Sequence, residues 1–377
     1  MSGAQALPRW ADLVLLPIVC LAVALLVAAG VVALVGQNPV DVITVLVRGA
    51  FGTPRGISYT LYYATTFVFT GLAVAVAIHG GLFNIGGEGQ AIMGGLGTGL
   101  AALWFAAYLP AWLMLPLMLL FGAGFGMVWA VVPGYLQAHR GSHVVITTIM
   151  FNFIASTLLV YLLVNHLRPK GTMAVESVSF EPSAKLPGMH EALGWFDVPW
   201  PSSPLNLSVF LALLAALAVY LFLWRTRAGF HLRAVGSSPS AAEYAGIRSK
   251  RQVMVAMAIS GALAGMVGMN EIAGVNGKLL LEFVSGAGFT GIAVALMGRN
   301  HPLGIIFASV LFGALYQGGA EVAFEIRGFS RDMVVLLQGF IVLFSGAMAY
   351  VIARPVGWVL AKFSRPEVSP KPGAAHG

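Results

Sequence analysis

Long apolar stretches follow one another along the chain, and most of them are about as long as a bilayer is thick. A hydrocarbon core of ~30 Å requires about 20 apolar residues in a helix, and lipid leaves no partner for unpaired backbone groups. We therefore predict an all-α membrane protein with about ten transmembrane helices. The predicted spans are Leu13–Val35, Ser58–Ile78, Ile85–Tyr108, Ala111–Gln137, Val144–Asn165, Asn206–Trp224, Val253–Val275, Ala287–Gly298, Leu303–Ala320 and Met333–Ala353.

The composition excludes several other classes of protein. Charged residues make up 9% of the 377 residues, whereas a soluble domain carries about 25%. This is too little charge to cover the surface of a soluble enzyme. Cys20 is the single cysteine, which excludes a disulfide scaffold and Cys-ligated zinc or iron–sulfur sites. No basic run lies in a soluble domain, so a nucleic-acid partner is not expected.

Charges between the spans predict the orientation of the chain. With a cytoplasmic N-terminus, 13 of the 21 Lys and Arg residues fall in cytoplasmic segments together with three acids. The other eight fall outside with nine acids. This bias agrees with positive-inside insertion, so both termini are predicted to be cytoplasmic. The basic residues predicted inside are Arg9, Arg140, Arg225, Arg227, Arg233, Arg248, Lys250, Arg251, Arg299, Arg354, Lys362, Arg365 and Lys371.

No soluble domain is predicted. The first apolar stretch exceeds the 7–15 apolar residues of a signal peptide, which favours an anchor. The whole chain is expected to form one transmembrane domain. Its parts are a membrane core over 13–353, an external loop over 166–205, a cytoplasmic loop over 225–252 and a cytoplasmic tail over 354–377.

Two glycine-interrupted segments indicate an inverted repeat. The string GGLFNIGGEGQ covers 80–90, and EFVSGAGFTG covers 282–291. They fall at comparable places in two sets of four predicted spans, the second to fifth and the seventh to tenth. Because successive spans cross the membrane in alternating directions, the two sets have opposite orientations. Paired interruptions of this kind are typical of inverted repeats with a binding site at the midplane. Some helices are therefore predicted to be broken.

The segment 79–90 is the most unusual in the chain. Five glycines within 80–90 disfavour a continuous helix, because each costs ~1 kcal/mol relative to Ala. A charge at membrane depth costs at least ~2.5–3.5 kcal/mol and usually faces a cavity, so Glu88 suggests a translocation route. The alternative is close packing of helices through small residues, with Glu88 bonded to a neighbouring helix.

A short helix is predicted in the cytoplasmic loop. Pro239 suits the first helical position and Ser238 suits the cap before it. Ser240 and Glu243 form an alternative capping box, and Gly246 is typical of a helix end. The helix over 239–245 is too short to cross a membrane. It is either a docking element on the cytoplasmic face or part of a surface loop whose arginines set topology and bind anionic lipid.

Four strings stand in order along the chain: GGLFNIGGEGQ (80–90), RAVGSSPSAAEYAGI (233–247), ISGALAGMVG (259–268) and GFTGIAVALMGRNHPLG (288–304). Together they resemble the permease subunits of ABC importers. Within the branched-chain amino acid/ribose permease superfamily, the chain looks most like the nucleoside and simple-sugar branch, whose members work with a basic-membrane-protein-type lipoprotein. The resemblance covers about residues 58–353.

The resemblance implies a permease of the bacterial inner membrane. A second permease, identical or homologous, would complete the pathway, and an extracytoplasmic binding lipoprotein would deliver the solute. A cytoplasmic ABC ATPase dimer would bind ATP and magnesium, since this chain has no phosphate-binding loop and is expected to bind no cofactor itself. The residues implied in ATPase coupling are Gly236, Ser237, Pro239, Ala242, Glu243, Tyr244 and Gly246.

The function predicted from these observations is import of a nucleoside or a related small polar solute by alternating access. The residues predicted to line the pathway are His79, Phe83, Asn84, Glu88 and Gln90. An importer of a simple sugar or another small solute in the same family remains an alternative.

Two other classes of function are considered. A secondary transporter would move protons through Glu88 and His79. An enzyme embedded in the membrane would need a second acid, a metal-ligand set or a nucleophile near Glu88, and the sequence offers none. His139 and His143 lie in a short basic turn and are predicted as interface residues, so neither catalytic nor metal-ligating residues are expected.

Overall fold

The computed structural model describes residues 15–34, 36–326, 329, 333–340 and 343. Its regular elements within these residues are helices, and the only β-bridges there are isolated ones. The all-α prediction is thus confirmed for the described chain. The chain divides into two compact units, one from Met1–Val40 with Val335–Gly377 and one over Asp41–Val334.

The first unit contains helix α1, Leu16–Leu34. This helix accounts for the described part of the first predicted span. The described residues between 335 and 340 are also helical. Most of the predicted span Met333–Ala353, and the whole predicted tail, lie outside the described residues.

The second unit holds the remaining helices, and α2 begins two residues before it. A π-helical turn, Leu163–Leu167, follows α6, and a second π-helical segment, Met269–Asn276, follows α11. The helices are α2 Pro39–Phe51, α3 Pro54–His79, α4 Gly87–Phe105, α5 Ala111–Arg140, α6 Val144–Leu162, α7 Met189–Gly194, α8 Ser208–Arg225, α9 Arg227–Ser237, α10 Pro239–Tyr244, α11 Ser249–Gly265, α12 Ala287–Met297 and α13 Pro302–Glu325.

Six helices of the described chain are long and apolar enough to cross a membrane, so the predicted count of about ten is not confirmed. Two of the predicted spans, Ile85–Tyr108 and Ala287–Gly298, correspond to helices that are not among these six, and each has a physical reason. Helix α4 carries Glu88, Gln90 and many glycines in place of a uniformly apolar stretch, and α12 has only 11 residues, about 16 Å. The six are Pro54–His79, Ala111–Arg140, Val144–Leu167, Ser208–Arg225, Ser249–Asn276 and Pro302–Glu325.

Glycines bring α4, α5 and α11 into close contact. A Cβ added to Gly94 would lie 2.1 Å from the Cα of Gly265, and one added to Gly126 would lie 2.3 Å from the carbonyl oxygen of Gly261. Side chains at these positions would force the backbones apart. Packing through small residues is the usual way for helices to associate in a membrane.

The long segment between α6 and α8 makes specific contacts with the rest of the second unit. Glu176 and Leu280 form an antiparallel bridge, and Lys278 pairs with Glu176 at 2.8 Å. The indole nitrogen of Trp200 donates to the hydroxyl of Ser58 at 2.8 Å. The segment therefore packs over the start of α3 and over the residues that precede α12.

Candidate functional site

The glycine-rich segment forms a sharp return between α3 and α4. Helix α3 ends at His79, and the amide of Gly81 donates to the carbonyl oxygen of Ile78. Gly81 has a φ of +75°, which a side chain would strain. The next residues are non-helical until α4 begins at Gly87. The predicted break is therefore present as a connection between two helices.

Asn84 and Gln90 hold this return in place. Both are buried, at 2% and 1% exposure. The amide nitrogen of Asn84 donates to Gln90 at 3.0 Å and to the hydroxyl of Ser260 at 2.9 Å. Asn84 also accepts a bond from the amide of Gly86 at 2.9 Å. These bonds satisfy polar groups that burial would otherwise penalise.

Glu88 caps a different helix. One carboxylate oxygen accepts a hydrogen bond from the amide of Gly286 at 2.9 Å, and the other accepts from Gly288 at 2.8 Å. These amides belong to the start of α12, where N–H groups have no partner inside the helix. A negative charge at this position is also stabilised by the helix dipole.

Asn152 on α6 caps α4 in turn. Its amide oxygen accepts from the amide of Gly89 at 2.9 Å, and its nitrogen donates to the carbonyl oxygen of Ile85 at 3.0 Å. The sequence analysis did not single out this residue. The available signal was an asparagine within an otherwise apolar span, since polar residues at that depth usually have a specific partner.

The starts of α4 and α12 lie side by side. A Cβ added to Gly288 would come within 2.6 Å of the carbonyl carbon of Gly87. Further along α12, a Cβ added to Gly291 would meet Thr70. Just beyond the end of α12, the carbonyl oxygen of Asn300 lies 3.0 Å from Nε2 of His79. Thr70 precedes the end of α3 by nine residues, about 14 Å. Helix α12 thus begins about halfway along α3 and runs toward its C-terminal end.

Helix α4 runs from the same place in the opposite direction. Glycines along it contact residues that precede α12, since a Cβ on Gly99 would lie 2.3 Å from Leu279. At its far end the carbonyl oxygen of Ala106 accepts a bond from Ser183. Helices α4 and α12 therefore begin together, about level with the middle of α3, and point to opposite ends of α3.

A cavity of about 430 Å³ opens beside these helix starts. Of the five residues predicted to line the pathway, only Glu88 lines this cavity. Its aromatic walls are Phe153 and Phe289, which are 66% and 49% exposed. The lining residues are Glu88, Ile92, Ile149, Asn152, Phe153, Ser156, Leu159, Val160, Leu281, Glu282, Val284, Ser285, Gly286 and Phe289.

His79 and Phe83 lie apart from the cavity. The ring nitrogen Nε2 of His79 lies 3.0 Å from the carbonyl oxygen of Asn300. Its ring meets Trp224 edge-on, with centroids 5.3 Å apart. Phe83 is 41% exposed. His79 thus contacts the ends of α8 and α12, and the structure does not bring it to Glu88.

A second buried carboxylate was missed by the sequence analysis as a site. Glu271 accepts hydrogen bonds from the hydroxyls of Tyr62 and Thr66. Next to it, Asn270 accepts from Asn206 at 3.0 Å. The signal was two adjacent polar residues in an apolar stretch. This network ties α3, the π-helical segment and the start of α8 together.

The short helix α10 has the predicted form. The side chain of Ser238 accepts a bond from the amide of Ala241 at 3.4 Å, and Pro239 is the first helical residue. Gly246 has a φ of +79° after the helix end. Ala242 is buried, whereas Tyr244 is 95% exposed. The helix is anchored on one face and presents an aromatic side chain on the other.

Basic side chains surround a groove next to α10. The groove has a volume of about 650 Å³. Glu243 lies at its rim beside His139, Arg248, Lys250 and Arg251. In the part of the chain that the structure describes, no group of three or more His, Cys, Asp and Glu side chains is arranged to hold a metal ion.

The end of α9 touches the glycine-rich return directly. A Cβ on Gly236 would lie 2.2 Å from the carbonyl oxygen of His79 and 2.8 Å from the amide of Gly81. Ser237 ends α9 and Ser238 caps α10. The return between α3 and α4 is therefore in backbone contact with the segment that carries α10.

Comparisons with known proteins identify the family. The family model described as branched-chain amino acid transport system / permease component matches residues 56–346. The nucleoside ABC transporter permease protein NupB of Lactococcus lactis subsp. cremoris is 33% identical, with 88% of this chain and 90% of the relative covered. The guanosine ABC transporter permease protein NupP of Bacillus subtilis is 34% identical, with 91% and 95% covered.

A third relative is named for a different solute. The glucose ABC transporter permease protein TsgB13 of Haloferax volcanii is 34% identical, with 84% of this chain and 83% of the relative covered. The chain belongs to the branched-chain amino acid transport system permease family. These matches confirm the predicted resemblance to ABC importer permeases.

Proposed function

We propose that this chain is the permease subunit of an ABC importer in a bacterial inner membrane and moves a nucleoside or a related small polar solute inward by alternating access. The names of the relatives support this, since two carry nucleosides or guanosine in their names. A simple sugar is the alternative solute, because a third relative is named for glucose.

The observation that carries the proposal is the meeting of two broken helices beside a cavity. Discontinuous helices that begin near the midplane are typical of transporter binding sites. Glu88 and Gly286 lie both at the helix starts and in the cavity lining. Non-helical backbone at this depth is tolerated where protein or a water-filled route satisfies it.

In this proposal the predicted pathway residues have different tasks. Glu88 faces the solute, while Asn84 and Gln90 fix the shape of the return through their mutual bonds. Phe153 and Phe289 offer aromatic faces to a nucleobase, and such stacking contributes about 1–3 kcal/mol per base in single-strand binders. His79 and Phe83 would meet the solute only beyond the cavity.

The full membrane domain would have about ten spans, arranged as an inverted repeat with both termini in the cytoplasm. The two glycine-rich segments support the repeat, because one precedes α4, the other precedes α12, and these two helices start side by side. A second permease, identical or homologous, would close the open side of the cavity, where Phe153, Ser156 and Phe289 are exposed. An extracytoplasmic binding lipoprotein would deliver the solute.

Energy would come from a cytoplasmic ABC ATPase dimer that binds ATP and magnesium. Helix α10 would dock on it through Glu243 and Tyr244, while Ala242 anchors the helix to the permease. A movement of α10 driven by the ATPase would reach the return at His79 and Gly81, because Gly236 is in backbone contact with both residues.

The coupling is tested with the double variant Glu243→Ala/Tyr244→Ala in the complete importer. We expect solute-stimulated ATP hydrolysis to fall about tenfold or more, because the docking surface is lost, which corresponds to about 1.4 kcal/mol. Tyr108→Ala is the matched control, since Tyr108 is also exposed, at 83%, but lies after α4 and away from α10.

Two outcomes would contradict this proposal. Unchanged stimulation in the double variant would remove the docking role of α10. Uptake that survives deletion of the ATPase but collapses with the proton gradient would instead support a proton-driven transporter.

A further inference from the structure

The charges around the mid-membrane cavity are all of one sign. Glu88 and Glu282 line it, and none of its lining residues is Lys, Arg or His. The other lining groups are apolar, aromatic, amide or hydroxyl side chains. Among the residues that the structure describes, an anion in this cavity would therefore meet two carboxylates and no compensating cation.

Three amides at the two helix starts already have a side-chain acceptor. Helix N-termini are the usual anion sites in proteins, and in discontinuous transporter helices they point at anionic groups of the solute. Here Glu88 already occupies the amides of Gly286 and Gly288. The side chain of Asn152 already occupies the amide of Gly89 at the start of α4.

The geometry of the Glu88 carboxylate fits its ionised form. Each of its two oxygens accepts a bond from a different backbone amide, and neither has to donate. The positive end of the α12 dipole favours the same form. The protein thus supplies its own anion at the place where a solute carboxylate or phosphate would bind.

We infer that this cavity selects uncharged or cationic solutes and rejects anions, with Glu88 and Glu282 as the residues that set this preference. This inference rests on the proposed function, because it takes the cavity as the solute site. It admits nucleosides and unmodified sugars, which are neutral. Nucleoside phosphates are disfavoured because of their phosphate groups, and amino acids because of their free carboxylate.

The electrostatic potential in the cavity is measured with charged thiol reagents. Cys20, the single cysteine, is replaced by Ser, and Ser156→Cys places a thiol in the cavity wall. Labelling rates of the assembled importer in nanodiscs are compared for a cationic and an anionic methanethiosulfonate of similar size. Ser202→Cys is the control, because Ser202 is an exposed residue of the segment between α6 and α8.

We expect the ratio of cationic to anionic labelling at position 156 to exceed that at position 202 by about tenfold, a modest value for a charged cleft. Glu88→Gln and Glu282→Gln should each lower the ratio. The second variant keeps the test independent of folding, because Glu282 is exposed and its side chain caps no helix. A ratio equal to the control, or one that neither variant changes, would overturn the inference.

The solute preference is tested on the same thiol. Guanosine should slow the labelling of Ser156→Cys by a neutral maleimide, and guanosine 5′-monophosphate should not. Equal protection by both would overturn the inference. A charge preference without protection by either guanosine or glucose would instead overturn the proposed solute site and leave the charge preference intact.

Discussion

Helices α4 and α12 both begin within the membrane-spanning part, yet different chemistry satisfies their first amides. At α4 the acceptor is the neutral amide of Asn152. At α12 it is the carboxylate of Glu88, which itself belongs to the first turn of α4. The start of one broken helix thus completes the other, and the charge is placed where the cavity opens.

The two helix starts also differ in how much space they leave. A Cβ on Gly288 would lie 2.2 Å from the amide nitrogen of Glu88, whereas a Cβ on Gly87 would meet nothing closer than 3.4 Å. The α12 side of the contact is therefore closed to any side chain, and the α4 side is not. This asymmetry allows the pair to be tested by single substitutions.

The largest effect is expected from Gly288→Ala. The added methyl group would clash with backbone, which cannot move aside as a flexible side chain does, and would separate the two helices. We expect loss of the assembled importer, and with it of uptake. Uptake in proteoliposomes and size-exclusion profiles measure this.

Gly87→Ala is the matched control for that variant. Its Cβ would make ordinary contact with the carbonyl oxygen of Gly288, so assembly and uptake should stay within about twofold of the parent, or 0.4 kcal/mol. Equal damage from both substitutions would show that the two helix starts are equally crowded and would contradict the asymmetry between them.

The next largest effect is expected from Glu88→Ala. Two hydrogen bonds to a charged acceptor are lost, and such bonds contribute about 1.5–3 kcal/mol each. We expect the free energy of unfolding in mixed micelles to fall by about 3 kcal/mol. Glu88→Gln retains one acceptor oxygen and should lose about half as much. A loss in Glu88→Ala no greater than that in Glu88→Gln would contradict a role for both oxygens.

Removing the neutral cap should cost less. Asn152→Ala loses two bonds between uncharged groups, which we expect to lower the free energy of unfolding by about 2 kcal/mol. Asn165→Ala is the control, because Asn165 makes one exposed bond to the carbonyl oxygen of Tyr161. If Asn152→Ala proved more damaging than Glu88→Ala, the proposed ranking of the two caps would be wrong.

The smallest effect is expected at the other buried carboxylate. Tyr62→Phe removes one donor to Glu271, while Thr66 and Asn270 still donate to it. We expect a loss of about 1.5 kcal/mol in the same unfolding measurement, because one hydrogen bond to a carboxylate is removed, and no change in the charge preference of the cavity. A changed ratio of cationic to anionic labelling at position 156 would show that the Glu271 network affects the cavity. It would contradict separate roles for Glu88 and Glu271.

Local features of the fold could be predicted from the sequence because they depend on neighbouring residues. Ser238, Pro239 and Gly246 mark the two ends of α10 within a few positions. The glycines of 80–90 mark the return after α3. The six apolar helices likewise follow from runs of about 20 apolar residues.

Long-range contacts could not be predicted in this way. The amides that bind Glu88 lie 198 and 200 residues further along the chain, so the alternatives of pathway and packing remained open. The structure shows Glu88 bonded to a neighbouring helix and also facing a cavity. Asn84 and Gln90 resemble solute ligands in the sequence, yet their side chains bond to each other.

The central claim is that solute passes the cavity at the starts of α4 and α12. The most direct test is uptake by the complete importer carrying Cys20→Ser and Ser156→Cys, before and after full modification with a bulky neutral maleimide. We predict that modification abolishes uptake and that the Ser202→Cys importer, modified to the same extent, transports normally. Normal uptake with position 156 fully modified would contradict the claim.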